Sequence, residues 1–94
     1  MNIIRRHVWV TGRVQGVCFR ESTRQHAAQY GVLGWVKNLP DGRVEAVFEG
    51  SDYAVRKLLR FVNTGPDHAQ VTHVKTVEEA PSAEFEEFSI LRRK

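Results

Sequence analysis

The sequence predicts an α+β fold with element order βαββαβ. Three observations carry this prediction. Strand-like runs rich in β-branched and aromatic residues alternate with two helix-like runs. Each helix-like run has one apolar stripe, so each has a single face to bury against a sheet. Glycines and prolines mark the junctions between the runs.

The first strand is His7-Val8-Trp9-Val10-Thr11, closed by Gly12. Beyond a short loop, Phe19, Thr23, Ala27 and Tyr30 recur at helical spacing, with Glu21, Arg24, Gln25 and Gln29 on other faces. Gly31 stands where a helix C-terminal glycine is expected. Val32-Leu33-Gly34-Trp35-Val36 forms a second strand, and Leu39-Pro40-Asp41-Gly42 turns the chain into a third, where Val44, Ala46 and Phe48 alternate. Ser51 or Asp52 caps a second helix whose Val55, Leu58, Leu59 and Val62 make one apolar face. Gly65-Pro66 ends it. Val71 to Val77 is a fourth strand, Pro81-Ser82-Ala83 a loop, and Phe88-Ser89-Ile90 a short terminal strand. Two one-sided helices covering one face of an antiparallel sheet give the ferredoxin-like split βαβ sandwich. Its right-handed crossover brings the loop after strand one near the end of strand two, where Asn38 sits.

Ninety-four residues are expected to form one domain, residues 1–94, with one core. The chain is 41% hydrophobic and 27% charged, as ordinary globular chains are. The single Cys18 cannot form an internal disulfide, and Arg5, Arg6 and His7 interrupt the N-terminal apolar run before a signal peptide can develop. No run approaches the roughly 20 apolar residues of a membrane span. The expectation is a cytoplasmic protein without a membrane partner. A net charge of +3 favours anionic partners in general, and Arg92-Arg93-Lys94 reads as a solvated end. His7, His26, His68 and His73 are scattered without ligand spacing, so no metal site is expected. Trp9 and Trp35 are expected to pack in the core or on the sheet surface.

The stretch that carries chemistry is Gly12-Arg13-Val14-Gln15-Gly16-Val17-Cys18-Phe19-Arg20. Glycines let successive N–H groups converge on one point, and a helix beginning just behind them adds its own free amides. Arg20 places a planar, always-charged fork beside that nest. The segment reads as a phosphate cradle. It lacks the Gly-Lys-Ser/Thr ending of the triphosphate P-loop and the Gly-x-Gly-x-x-Gly of dinucleotide folds. One residue between Cys18 and Arg20 is too few to wrap a phosphate over a cysteine nucleophile.

With that loop, Gly31-Val32-Leu33-Gly34-Trp35-Val36-Lys37-Asn38 followed by Asp41-Gly42 makes the chain closely resemble the acylphosphatase family over almost its entire length. The resemblance implies metal-independent hydrolysis of the carboxyl-phosphate bond of small-molecule acyl phosphates, giving a carboxylate and inorganic phosphate. It implies Arg20 as the phosphate-binding arginine and Asn38 as the residue that orients the attacking water. The amides of Gln15, Gly16, Val17, Cys18, Phe19 and Arg20 would cradle the phosphoryl oxygens. It further implies no cofactor, a monomer, and inorganic phosphate as product and competitive inhibitor. Cys18 stands at a position that varies among relatives, so no catalytic thiol is implied.

Two other functions compete. The RNA-recognition fold shares the element order, but Arg43-Val44-Glu45-Ala46-Val47-Phe48-Glu49 has one aromatic and two acids where that fold stacks bases, so no nucleic-acid partner is expected. A non-catalytic phosphate-binding domain would have no need to retain both Arg20 and Asn38.

Overall fold

The long first strand, β1 (Ile3–Arg13), organises the rest of the chain, because both of its edges are paired. The computed structural model describes residues 2–92. After β1 come α1 (Phe19–Tyr30), β2 (Leu33–Asn38), β3 (Val44–Ser51), α2 (Asp52–Thr64), β4 (Gln70–Glu79) and β5 (Phe88–Ile90). The sheet order is β4-β1-β3-β2-β5, antiparallel across β4, β1, β3 and β2. The predicted split βαβ arrangement is therefore present. The terminal strand adds a parallel pair at one edge, with Val36 opposite Ile90. Residues 80–87 carry the chain from the β4 edge to the β5 edge, and β5 then runs in the same direction as β2.

Alternation decides the two faces of the sheet. Val8 and Val10 of β1, Val36 of β2, and Val44, Ala46 and Phe48 of β3 point to the helices and are buried. There they meet Phe19 and Ala27 of α1 and Ala54, Val55, Leu58 and Val62 of α2. Of the two caps considered for α2, Ser51 is the one used: its Oγ accepts from Ala54 N at 3.2 Å. Gly31 closes α1 in the left-handed conformation, its N–H reaching the carbonyls of Ala27 and Ala28.

The other face of the sheet is polar and aromatic. Trp9 and Trp35 lie there, and His7 stacks on Trp9 with ring centroids 4.0 Å apart. Both ring nitrogens of His7 contact carboxylates, Nδ1 to Glu79 at 2.8 Å and Nε2 to Glu45 at 2.6 Å. Arg5 Nε donates to Glu79 at 2.8 Å. The buried carboxylate of Glu49 accepts from the backbone of Ser82 and Ala83, fixing the 80–87 crossing over this face. Polar residues therefore extend β1 and β4 past the predicted His7–Thr11 and Val71–Val77, because this face uses charge pairs in place of an apolar stripe. Arg93 and Lys94 of the basic tail lie outside the described residues.

Gly34 is required by space as well as by torsion. Its φ is +136°, and an added Cβ would lie 1.9 Å from the Val47 carbonyl oxygen on β3. Gly34→Ala must push β2 off β3, so a loss of about 3 kcal/mol or more is expected, a fall in Tm of more than about 10 °C. Gly42→Ala is the comparison: its methyl would meet open space. Only the positive-φ penalty remains there, about 1–2 kcal/mol. Equal losses in thermal melts would refute the steric argument at Gly34.

The His7 hydrogen bond, and then the Arg5 hydrogen bond, hold the Glu79 carboxyl below its ordinary value of 4.5. A carboxylate with a depressed folded-state pKa stabilises the native state above its unfolded-state value, and loses that contribution as pH falls through the folded-state value. Urea midpoints of wild type and Glu79→Gln should differ at pH 7 and converge as the pH drops below 4.5. A gap that persists undiminished at pH 2.5 would contradict this linkage.

Candidate active site

β1 and β2 are parallel and end at the same rim of the sheet, with β3 between them. The loop after β1 and the last residue of β2 therefore face each other across the start of β3. Between them lies a cavity of about 400 Å³ lined by Gly16, Cys18, Phe19, Arg20 and Asn38, among others. A second cavity of about 340 Å³ adjoins it, shares Arg20 and Asn38, and is lined by Gln15, Leu39 and Pro40. The sequence-predicted residues thus come together at one place.

The loop owes its shape to two left-handed residues and two anchors. Gly16 has φ +73° and Cys18 φ +64°, so the backbone turns twice within three residues. Val14 and Val17 are buried on either side of Gly16 and hold the loop to the core. Val17, named in the predicted cradle, can contribute only its main chain, because its side chain is an anchor. Phe19 likewise turns its ring into the core, 2% exposed.

Cys18 is the N-cap of α1, and its side chain makes no capping hydrogen bond. The usual Ser, Thr, Asp or Asn cap would occupy one of the first amides of the helix. Here they stay available, and among the described residues no backbone carbonyl outside the helix accepts from the amides of residues 15–20. An uncapped helix start is a ready anion site. Arg20, in the first turn, enters none of the ion pairs found among the described residues.

Asn38 faces this cradle from the end of β2. Its Oδ1 is buried and accepts no hydrogen bond from the described residues. A buried acceptor left alone costs about 1–3 kcal/mol, so the site favours a donor at that oxygen.

Three contributors were not foreseen from the sequence. The Gln15 side chain, Nε2, donates to the carbonyls of Leu39 at 2.8 Å and Arg43 at 3.0 Å, tying the cradle loop to the turn after Asn38. Glu21 lines the larger cavity, but Arg24 holds it through Nε at 3.0 Å and Nη2 at 2.6 Å. That pairing keeps the Glu21 carboxyl below the usual carboxylate range. Arg92, expected in a solvated end, is exposed and also lines the larger cavity, beside Ile90. The terminal basic run was visible, but not the parallel pairing of β5 that brings its first residue here.

Among the described residues no group of three or more His, Cys, Asp or Glu side chains is arranged to hold a metal ion. No described helix is long and apolar enough to cross a membrane. Phe48, the aromatic of β3, faces the helices with 0% exposure, so it offers no platform for a base on the open sheet face.

A sequence model of the acylphosphatase family matches residues 6–90. The chain is 52% identical to an acylphosphatase of Roseiflexus sp. (strain RS-1), over 97% of this chain and 98% of that one. Its fold superposes on the crystal structure of acylphosphatase from Bacillus subtilis with a TM-score of 0.90, at 35% identity, covering 94% of this chain and 98% of the other. An acylphosphatase from Coxiella burnetii gives a TM-score of 0.91 at 38% identity, over 96% and 94% of the two chains. With this site, this fold and these likenesses along nearly its whole length, the chain belongs to the acylphosphatase family.

Proposed function

We propose that residues 1–94 act as one acylphosphatase domain, hydrolysing acyl phosphates to a carboxylate and inorganic phosphate at the cavity between the 15–20 loop and Asn38. The observation that carries this reading is the pairing of an uncapped amide cradle and Arg20 with Asn38 on the same cavity. The amides of residues 15–20 and the Arg20 guanidinium hold the phosphoryl oxygens. They stabilise the charge that spreads over those oxygens in a loose transition state. The Asn38 side-chain amide hydrogen-bonds the attacking water and aims its lone pair at phosphorus opposite the acyl oxygen. The water–phosphorus bond forms as the acyl oxygen–phosphorus bond breaks, and the carboxylate departs with the electron pair.

That leaving group has a parent acid of pKa ~4, so it needs no general acid. The water's proton passes to a phosphoryl oxygen. Glu21 is the carboxylate on the cavity wall, and Arg24 keeps it ionised and occupied, which makes it a poor base. The reading extends to a monomer working without metal or organic cofactor, with inorganic phosphate as competitive inhibitor. The free, exposed Cys18 thiol supports a reducing, cytoplasmic setting.

Chelator-treated protein should hydrolyse benzoyl phosphate. Arg20→Ala and Asn38→Ala should each lose at least about two orders of magnitude in kcat/KM. Arg20→Ala should also weaken inorganic phosphate inhibition, which Asn38→Ala should leave in place. An inactive folded wild type, or variants matching it, would overturn the assignment.

Gln15→Leu separates positioning from fold. The carbonyls it releases keep their partners, Leu39 O with Gly42 N and Arg43 O with Leu39 N. The protein should stay folded with phosphate inhibition nearly intact, while kcat falls by about 10- to 100-fold as cradle and water lose alignment. Unchanged kcat would show that the Gln15 side chain has no part in alignment.

A further inference from the structure

The cavity is larger than a phosphoryl group needs, and its lining changes character away from the cradle. At about 400 Å³ it falls within the range of small-molecule sites, so part of the acyl group must lie inside it with the phosphate. Besides Gly16 and Arg20, the wall includes Ile90 and Arg92. The position of Arg92 follows from the sheet. β5 pairs with β2 in parallel register, Gly34 with Phe88, Trp35 with Ser89 and Val36 with Ile90. Leu91 N continues the ladder by donating to Val36 O at 2.9 Å. Carried on two residues, the same register sets Arg92 level with Asn38. A second, exposed guanidinium therefore lines the same cavity as Arg20.

Arg92 enters none of the ion pairs found among the described residues, though its charge is near enough to help lower the Glu21 carboxyl. Glu21 is the carboxylate on the cavity wall, and its ion pair is with Arg24, reinforced by a hydrogen bond from Gln25 at 3.3 Å. A guanidinium cannot lose its proton at working pH and presents planar pairs of donors suited to a carboxylate or a phosphate. A neutral acyl chain passing Ile90 would gain little from it, whereas an acyl chain ending in an anion would meet it directly.

Resting on the proposed hydrolysis, we infer that Arg92 is a specificity-determining residue that favours acyl phosphates whose acyl group carries a second anionic group. Arg20 binds the phosphoryl end, Ile90 flanks the acyl carbons, and Arg92 receives the distal charge.

The test compares kcat/KM for 4-carboxybenzoyl phosphate with that for benzoyl phosphate, in low salt, for wild type, Arg92→Gln, Arg92→Lys and Arg60→Gln. Arg60 is an exposed α2 residue that does not line the cavity, so its loss controls for net charge. In Arg92→Gln the ratio should fall roughly threefold to fivefold, the scale of an exposed ion pair. Arg92→Lys should keep most of the preference, Arg60→Gln all of it, and added salt should shrink the difference. An unchanged ratio in Arg92→Gln, or an equal fall in Arg60→Gln, would overturn the inference. Calorimetry with the matching non-hydrolysable acyl phosphonates gives a second readout. Arg92-dependent preference in binding without any turnover would sink the hydrolase reading and leave the anion subsite standing. Turnover without such preference would do the reverse.

Discussion

Because β3 lies between β1 and β2, the two strands that end at the cavity run parallel without touching, and a gap one strand wide separates their ends. That gap is what the site occupies. The crossover through α1 brings the first amides of the helix to one side of it, and β2 ends with Asn38 on the other. Ligands in sheet proteins commonly bind beyond the carboxyl ends of parallel strands, where neighbouring connections diverge. Here the divergence is bridged by one side chain. Gln15 reaches over the start of β3 to two carbonyls of the β2–β3 turn, so the spacing between cradle and Asn38 is set by hydrogen bonds as well as by strand pairing.

The cradle is held in a conformation that costs stability. A non-glycine residue at φ +64° costs roughly 1–2 kcal/mol, and Cys18 adopts it while giving α1 no side-chain cap. A capped helix with a relaxed entry would be more stable and would have spent the amides an anion needs. Hydrogen bonds to a charged group are worth about 1.5–3 kcal/mol each, so in the proposed reading two of them to a bound phosphoryl group exceed the strain. The surrounding structure keeps the strained form in place through Val14, Val17 and Phe19, which bury their side chains around the loop. The polar face of the sheet, with Glu49 holding the 80–87 crossing, lies on the side of the sheet away from the helices.

Local pattern was enough for the two helices, their stops and the order of the strands, because those follow from apolar spacing and from glycine and proline. Glycine spacing and the end of strand two likewise pointed to a loop and an asparagine that line one cavity, since both are local features. Strand limits were harder to read. Arg5, Arg6 and Glu79 look like loop residues, yet pairing of β1 on both edges keeps them in strands. Ser51 and Asp52 were equivalent as caps by residue type, and only the Ser51 contact to Ala54 N separates them. Gln15 and Arg92 belong to a third class. Their roles depend on the distance between the cradle loop and the β2–β3 turn and on the direction of β5, and neither is encoded within a short window.

An anion cradle of this kind binds the phosphate product as well as the phosphoryl group of the substrate, so affinity for phosphate alone does not make an enzyme. Acceleration has to come from interactions that strengthen at the transition state. Two features of the cavity meet that need. In the proposed reaction the loop amides, held by the buried Val14, Val17 and Phe19, stabilise charge on the equatorial oxygens with little reorganisation, and Arg20 adds its charge beside them. Asn38 lines the same cavity, and in the proposed reaction its amide holds a water in line with the bond that breaks. The leaving carboxylate needs no proton, which explains how a wall with Glu21 locked to Arg24 and no histidine can still support the chemistry. In the proposed reaction catalysis is a matter of placement, to which the split sheet and the Gln15 hydrogen bonds contribute.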